Sequence, residues 1–298
     1  MSGKTPARKA GRWRAALMPA LFLAPALLVF TWFKFIPMAR GLQMSLYEVR
    51  FGEESRFVGL DNFRRVFTDP LLGEAALNTL VYVVGTVGLS AVLGLLLAIA
   101  LEGSTRSLRI VRTAIFLPAV TSAAVLAEVW RILYAPTPDG VANVVIGALG
   151  FGLQQFLNDP ETALYWLMSM AVWKHVPYDT VIFVAGLATI NRELYEAADV
   201  DGANAWHRLR FVTLPGLSPA ITIVMTLGLI RGFRVFAEVH ATTGGGPAGA
   251  TEVVMTHIYK QGFVQFDYGY ASAASVLLFA FTATCTVIYL QWRRRSER

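Results

Sequence analysis

Six apolar stretches govern what this chain can become: about 16–38, 77–101, 111–134, 163–187, 214–236 and 271–292. A hydrocarbon core about 30 Å thick is crossed by roughly 20 helical residues, so each stretch is long enough to span it. Lipid offers the backbone no hydrogen bonds, so a segment that satisfies its own N–H and C=O groups must be a helix. Composition agrees, because only 15% of the 298 residues are charged, against roughly 25% in soluble domains. The expectation is an all-α integral membrane protein with six transmembrane helices. A lone Cys285 inside the last stretch excludes a disulfide framework or a cysteine metal cluster. No cofactor or metal is called for.

The net charge of +6 would suggest nucleic acid in a soluble protein. Here the placement of Lys and Arg reads as topology. With the N-terminus inside, the inner segments hold Lys4, Arg8, Lys9, Arg12 and Arg14, then Arg106, Arg109 and Arg112. They also hold Arg192, Arg208 and Arg210, and a tail of Arg293, Arg294, Arg295 and Arg298. The outer loops hold Arg40, Arg50, Arg56, Arg64, Arg65 and Lys260. Both termini are therefore expected in the cytoplasm, with 1–15 and 293–298 as basic flanks of a membrane domain over 16–292. The N-terminal basic residues also resemble the start of a secretory signal, but the apolar run continues to about Met38, too far for one. Gly3-Lys4-Thr5 lacks the upstream glycine and strand of a phosphate loop.

Between the fourth and fifth stretches lies a polar interlude at 192–219, RELYEAADVDGANAWHRLRFVTLPGLSP. Asn191 is placed to cap a helix through Glu196-Ala197-Ala198. Asp201-Gly202 is turn chemistry, with Gly free to take the positive φ that ends a helix. A second short helix can start at Ala203 and run to Phe211, and Leu214-Pro215 and Pro219 mark the return to apolar sequence. Small alanines let another backbone approach closely. On the topology above, this helix-turn-helix faces the cytoplasm.

Glu196-Ala197-Ala198, Asp201-Gly202-Ala203, Phe211 and Leu214-Pro215 with Pro219 resemble the EAA loop of binding-protein-dependent ABC importer permeases. Further likenesses are to the carbohydrate type, whose members carry sugars or glycerol 3-phosphate. They include Gly59-Leu60-Asp61-Asn62-Phe63, Asn78-Thr79, the outer loop from Pro136 to Pro160, Thr243-Gly244-Gly245-Gly246-Pro247 and Tyr268-Gly269-Tyr270-Ala271. The resemblance covers about 16–292. It implies a type I importer permease fold whose coupling helix docks in a cytoplasmic ATPase. It also implies a second six-span permease, two ATPases, an extracytoplasmic binding protein and residence in the inner membrane. No catalytic residue is implied. The chain departs from the family where Asp then Tyr are common and Ala237 and His240 stand here.

The candidate solute pathway is read from the residues. Glu128 and Arg131 share a helix face and are costly in lipid, so they are expected in the bundle interior or a wet cavity. They are either a structural ion pair or part of the pathway. In the fourth stretch Trp166, Ser169 and Trp173 share a face that could stack on sugar rings. The alternative is an aromatic packing stripe with a Lys174–Asp179 or similar satisfied interior pair. Arg231 lies near the outer end of the fifth stretch, with Gly228 and Gly232 as a weak packing motif. Asp61 or Asn62 is expected to cap a short outer helix, Asn78-Thr79 to open the second span, and Pro177 to kink or loosen the fourth. A secondary transporter would show repeated halves, and an intramembrane enzyme would need His in metal-ligand spacing; neither is evident. The discriminating observation is co-purification with a soluble ATPase.

Overall fold

The structure is a computed structural model that describes residues 9–296 apart from positions 53, 102 and 104. Gly3-Lys4-Thr5, Arg8 and Arg298 lie outside the described residues. The chain opens with α1 (Lys9–Phe30), continues through a π-helical turn at Thr31–Phe35 and enters α2 (Ile36–Met44). From Pro19 to Met44 its most apolar window buries nothing within this chain. A two-residue hairpin, β1 (Tyr47–Glu48) with β2 (Arg56–Phe57), leads to α3 (Asp61–Thr68). Neither expected residue caps α3, because Leu60 occupies the cap position without a side-chain bond. Asn62 is instead buried, and its amide donates to the carbonyls of Ser45 and Tyr47 at 3.1 and 2.8 Å. It ties the outer helix to the hairpin.

Helix α4 (Pro70–Ala100) begins eight residues before Asn78. Asp69 accepts the amides of Leu71 and Leu72, and Pro70 sits in the first turn, a start favoured by both capping and the fixed φ of proline. The helix that carries the second apolar stretch therefore starts before Asn78-Thr79. Asn78 donates to the Glu252 carbonyl at 3.0 Å and Thr79 Oγ1 accepts the Val254 amide at 3.0 Å, pinning the outer loop to α4. Helices α5 (Arg106–Val120) and α6 (Ala123–Leu133) meet at 100°. Thr121 and Ser122 are extended there, and Ser122 caps α6. The third stretch is thus two helices with a sharp bend rather than one rod.

A segment with α7 (Val141–Ala148) precedes α8 (Ala163–Leu187), which remains one helix through Pro177. Next come α9 (Arg192–Val200), α10 (Ala205–Arg208), a π-turn at Leu209–Thr213 and α11 (Leu214–Gly216). This arm meets α12 (Ser218–Phe233) at 68°. Short helices α13 (Ala237–Thr242) and α14 (Val254–Tyr259) lead into α15 (Tyr268–Ser296).

Glycines set the closest approaches. A Cβ on Gly94 would stand 2.9 Å from Asp179 Cβ and 3.1 Å from the Thr180 amide, so α4 and α8 meet backbone to backbone. On Gly228 and Gly232 it would meet Val87 and Val83 at 2.7 and 2.9 Å, which makes Gly228-x-x-x-Gly232 the seam between α12 and α4. Among the described residues, three helices are long and apolar enough to cross a membrane: Pro19–Met44, Pro70–Ala100 and Tyr268–Arg295. Each bent pair counted as one span raises the number to five. Helix α8, with 25 residues, would reach about 37 Å at 1.5 Å per residue, but it carries Lys174, His175 and Asp179.

Candidate functional site

Two sites stand out. The first is the polar arm. Asn191 Oδ1 accepts the Glu193 amide at 3.1 Å and caps α9, and Gly202 ends that helix at φ +72°. Asn204 then caps α10 through the His207 amide at 2.9 Å. Arg208 joins α10 to Asp199 of α9 at 2.8 Å, and the Tyr195 hydroxyl meets that of Thr213 at 3.1 Å. The arm is thus internally braced. Glu196, Ala197, Asp201, Gly202 and Pro215 are exposed, and Ala198, Ala203 and Leu214 are half-buried. Val200, Trp206 and Phe211 are 88%, 66% and 69% exposed, large apolar groups on an otherwise polar element.

At the elbow, Gly216 is overlaid by Ile190 and Gly186 by Leu217 and Ala220. The Arg293 guanidinium, near the end of α15, donates to the Ser218 carbonyl and hydroxyl at 2.8 and 2.7 Å and to Thr222 Oγ1 at 3.1 Å. The last turn of α15 thereby holds the point where the arm turns into α12.

The second site is a cavity of about 650 Å³ walled by α4, α8, α12 and α13. Asp179 accepts from Ser90 Oγ at 2.8 Å and from Arg231 Nη2 at 3.1 Å. Lys174 Nζ lies 2.6 Å from Glu238 Oε1. Lys174 is thus part of a satisfied interior pair, with Glu238 rather than with Asp179. Five residues on a helix turn through about 140°, so the two side chains leave α8 on different faces. Each finds a partner on another element, which compensates charges that would be costly in lipid.

Lys174 and Arg231 line this cavity, and Asp179 stands behind Arg231. Trp166, Ser169 and Trp173 do not line it. Trp166 packs against Phe156 and Tyr134, Ser169 shares a 2.6 Å hydrogen bond with the Tyr134 hydroxyl, and Trp173 lies edge-on to Trp130. These contacts form an aromatic cluster, with Trp173 exposed at its end. Glu128 and Arg131 pair at 3.3 Å but are exposed in this chain rather than interior, and Arg131 also donates to the Ala241 carbonyl.

The sequence reading missed Tyr82, Ser90 and Glu238. A signal existed for two of them. Tyr82, Thr86 and Ser90 recur every fourth residue of an otherwise apolar helix, so they form one stripe, and all three are buried. Glu238 stands beside Ala237, where the family's acidic residue is absent.

A family model described as binding-protein-dependent transport system inner membrane component matches residues 90–298. The chain is 33% identical to the arabinooligosaccharides transport system permease protein AraP of Bacillus subtilis (strain 168), covering 92% of this chain and 87% of that one. It is 32% identical to the sn-glycerol-3-phosphate transport system permease protein UgpA of Agrobacterium fabrum (strain C58 / ATCC 33970), covering 93% and 94%. Among solved structures it is similar to a chain of a bacterial alginate ABC transporter in complex with alginate pentasaccharide-bound periplasmic protein. That match has a TM-score of 0.84 and 25% identity, over 98% of this chain and 99% of that one.

Proposed function

Because this chain belongs to the family of binding-protein-dependent transport system inner membrane components, we propose that it is the permease subunit of an ATP-driven carbohydrate importer. Its relatives are permease proteins, and its own task is transport rather than catalysis. The carbohydrate cargo rests on the arabinooligosaccharide and trehalose/maltose permeases among those relatives. The glycerol-3-phosphate permease of similar identity supports a second reading with the same architecture and a phosphorylated polyol as cargo.

The chain crosses the inner membrane six times, with the two bent pairs and α8 each forming a span and both termini in the cytoplasm. A second six-span chain supplies the opposite wall of the cavity, two ATPases lie below, and a binding protein delivers solute from outside. The observation that carries this reading is the braced arm with exposed Val200, Trp206 and Phe211. A helix-turn-helix built this way fits a cleft in a soluble partner. Closure of the ATPases moves the arm, the elbow carries the motion into α12, and the wall bearing Arg231 shifts. The permease contributes two packings of different stability, biased by nucleotide and by solute.

The test is affinity purification of the chain co-expressed with the ATPase and its partner permease. The ATPase should co-purify with the native chain, and Gly202→Pro should lower recovery and transport-coupled ATP hydrolysis while membrane insertion persists. Normal coupling in Gly202→Pro would overturn the docking role of the arm.

A further inference from the structure

We propose that the solute carries an acidic group, and that this group is held in the cavity between α4, α8 and α12 by Tyr82, Arg231 and Arg234. The proposal rests on the permease reading above and names the class of cargo at that site.

The argument begins with hydrogen bonds that are not made. Tyr82 is 2% exposed, lines the cavity, and its hydroxyl has no partner among the described residues. Arg231 spends Nη2 on Asp179, but its buried Nε has no acceptor. His175 Nδ1, on the same wall, is also buried without a partner. An Nε–H can only donate and a phenol readily does, so the shortage is of acceptors. Buried groups left in this condition cost about 1–3 kcal/mol each, and the two donors, on α4 and α12, point to a ligand that supplies lone pairs, while His175 Nδ1 on α8 donates or accepts according to its tautomer.

The charges point the same way. Lys174 is neutralised by Glu238 and Arg231 by Asp179. Arg234, also on the wall, has no acidic residue within ion-pair distance among the described residues. The cavity therefore keeps an exposed cation without an acidic partner at its wall and two idle donors. A carboxylate or phosphate on a sugar or polyol would satisfy both, because charge-assisted hydrogen bonds to a desolvated anion are stronger than neutral ones. A neutral sugar hydroxyl would satisfy the donors and leave the charge.

The experiment uses the complete importer, with its partner permease, ATPases and binding protein, in proteoliposomes. ATP hydrolysis and uptake are measured with trigalacturonate, with glycerol 3-phosphate and with neutral maltotriose. Stimulation by an acidic probe and not by maltotriose is expected, and the two acidic probes separate a carboxylate from a phosphate. Tyr82→Phe, which keeps the ring and removes the hydroxyl, should lower uptake of that probe about tenfold. Arg234→Gln should lower it as well. Stimulation by maltotriose alone would overturn the acidic cargo and leave the importer reading intact. Acidic stimulation untouched by both substitutions would overturn this site for the anion. No stimulation by any probe would sink the acidic cargo and the carbohydrate-importer reading together.

Discussion

Asp69 shows how much one residue can hold. It caps α4, accepts from the Tyr270 hydroxyl and lies 3.1 Å from His257 Nε2. Burial alone would push its carboxyl up. The Tyr270 hydroxyl, the His257 charge and the two capping amides outweigh that and bring the pKa below the ordinary value. A carboxylate with a depressed folded pKa adds stability that is present above its unfolded pKa of about 3.9 and lost as pH falls through the folded value. Asp69→Asn should therefore lower the melting temperature of the detergent-purified protein at pH 6, and the difference should shrink as pH drops below about 4. A difference independent of pH over that range would show that the carboxylate's charge adds nothing. The capping role was legible in Asp69-Pro70. The contacts to His257 and Tyr270 were not, because they join positions far apart in sequence.

At the scale of elements, two joints matter. Arg293 braces the elbow between the arm and α12, so Arg293→Ala should loosen the link between arm and wall. The expected outcome is reduced solute uptake per ATP hydrolysed, with ATPase recovery unchanged and partial rescue by Arg293→Lys. An unaltered ratio in Arg293→Ala would rule out a coupling role. The other joint is the contact of α4 and α8 at Gly94. Gly94→Val places methyls against Asp179 and the Thr180 backbone, and overpacking of this kind costs roughly 1–3 kcal/mol. A clear fall in thermal stability should follow. The extents of α8 and α15 were close to legible, since a long apolar run has few alternatives to a helix. The break at Thr121-Ser122 was not, because Pro118 suggests a kink but does not say that two extended residues and a new cap follow it.

For the whole molecule, the prediction concerns topology. In a Cys285→Ser background, cysteine placed at exposed Gly249 should react with an impermeant maleimide in intact cells. Cysteine at exposed Gly202 should react only after the membrane is opened. Labelling of Gly202→Cys in intact cells would put the arm on the wrong side for an ATPase. The apolar window within Pro19–Met44 is unburied in this chain, which fits the proposed second permease chain.

By itself the sequence determined the class of solvent and the kind of element. Charge depletion and long apolar runs leave a membrane helix as the economical solution, and the EAA-type arm carries its caps, turn and prolines within two dozen residues. Those are local consequences of backbone hydrogen bonding and side-chain shape. Tertiary structure alone decided which charges meet. Lys174 takes Glu238 and Asp179 takes Arg231 because helical rotation separates residues five apart, while packing at Gly94, Gly228 and Gly232 brings distant helices within reach. The cavity and its unpaired donors follow from that packing, and no stretch of sequence contains them.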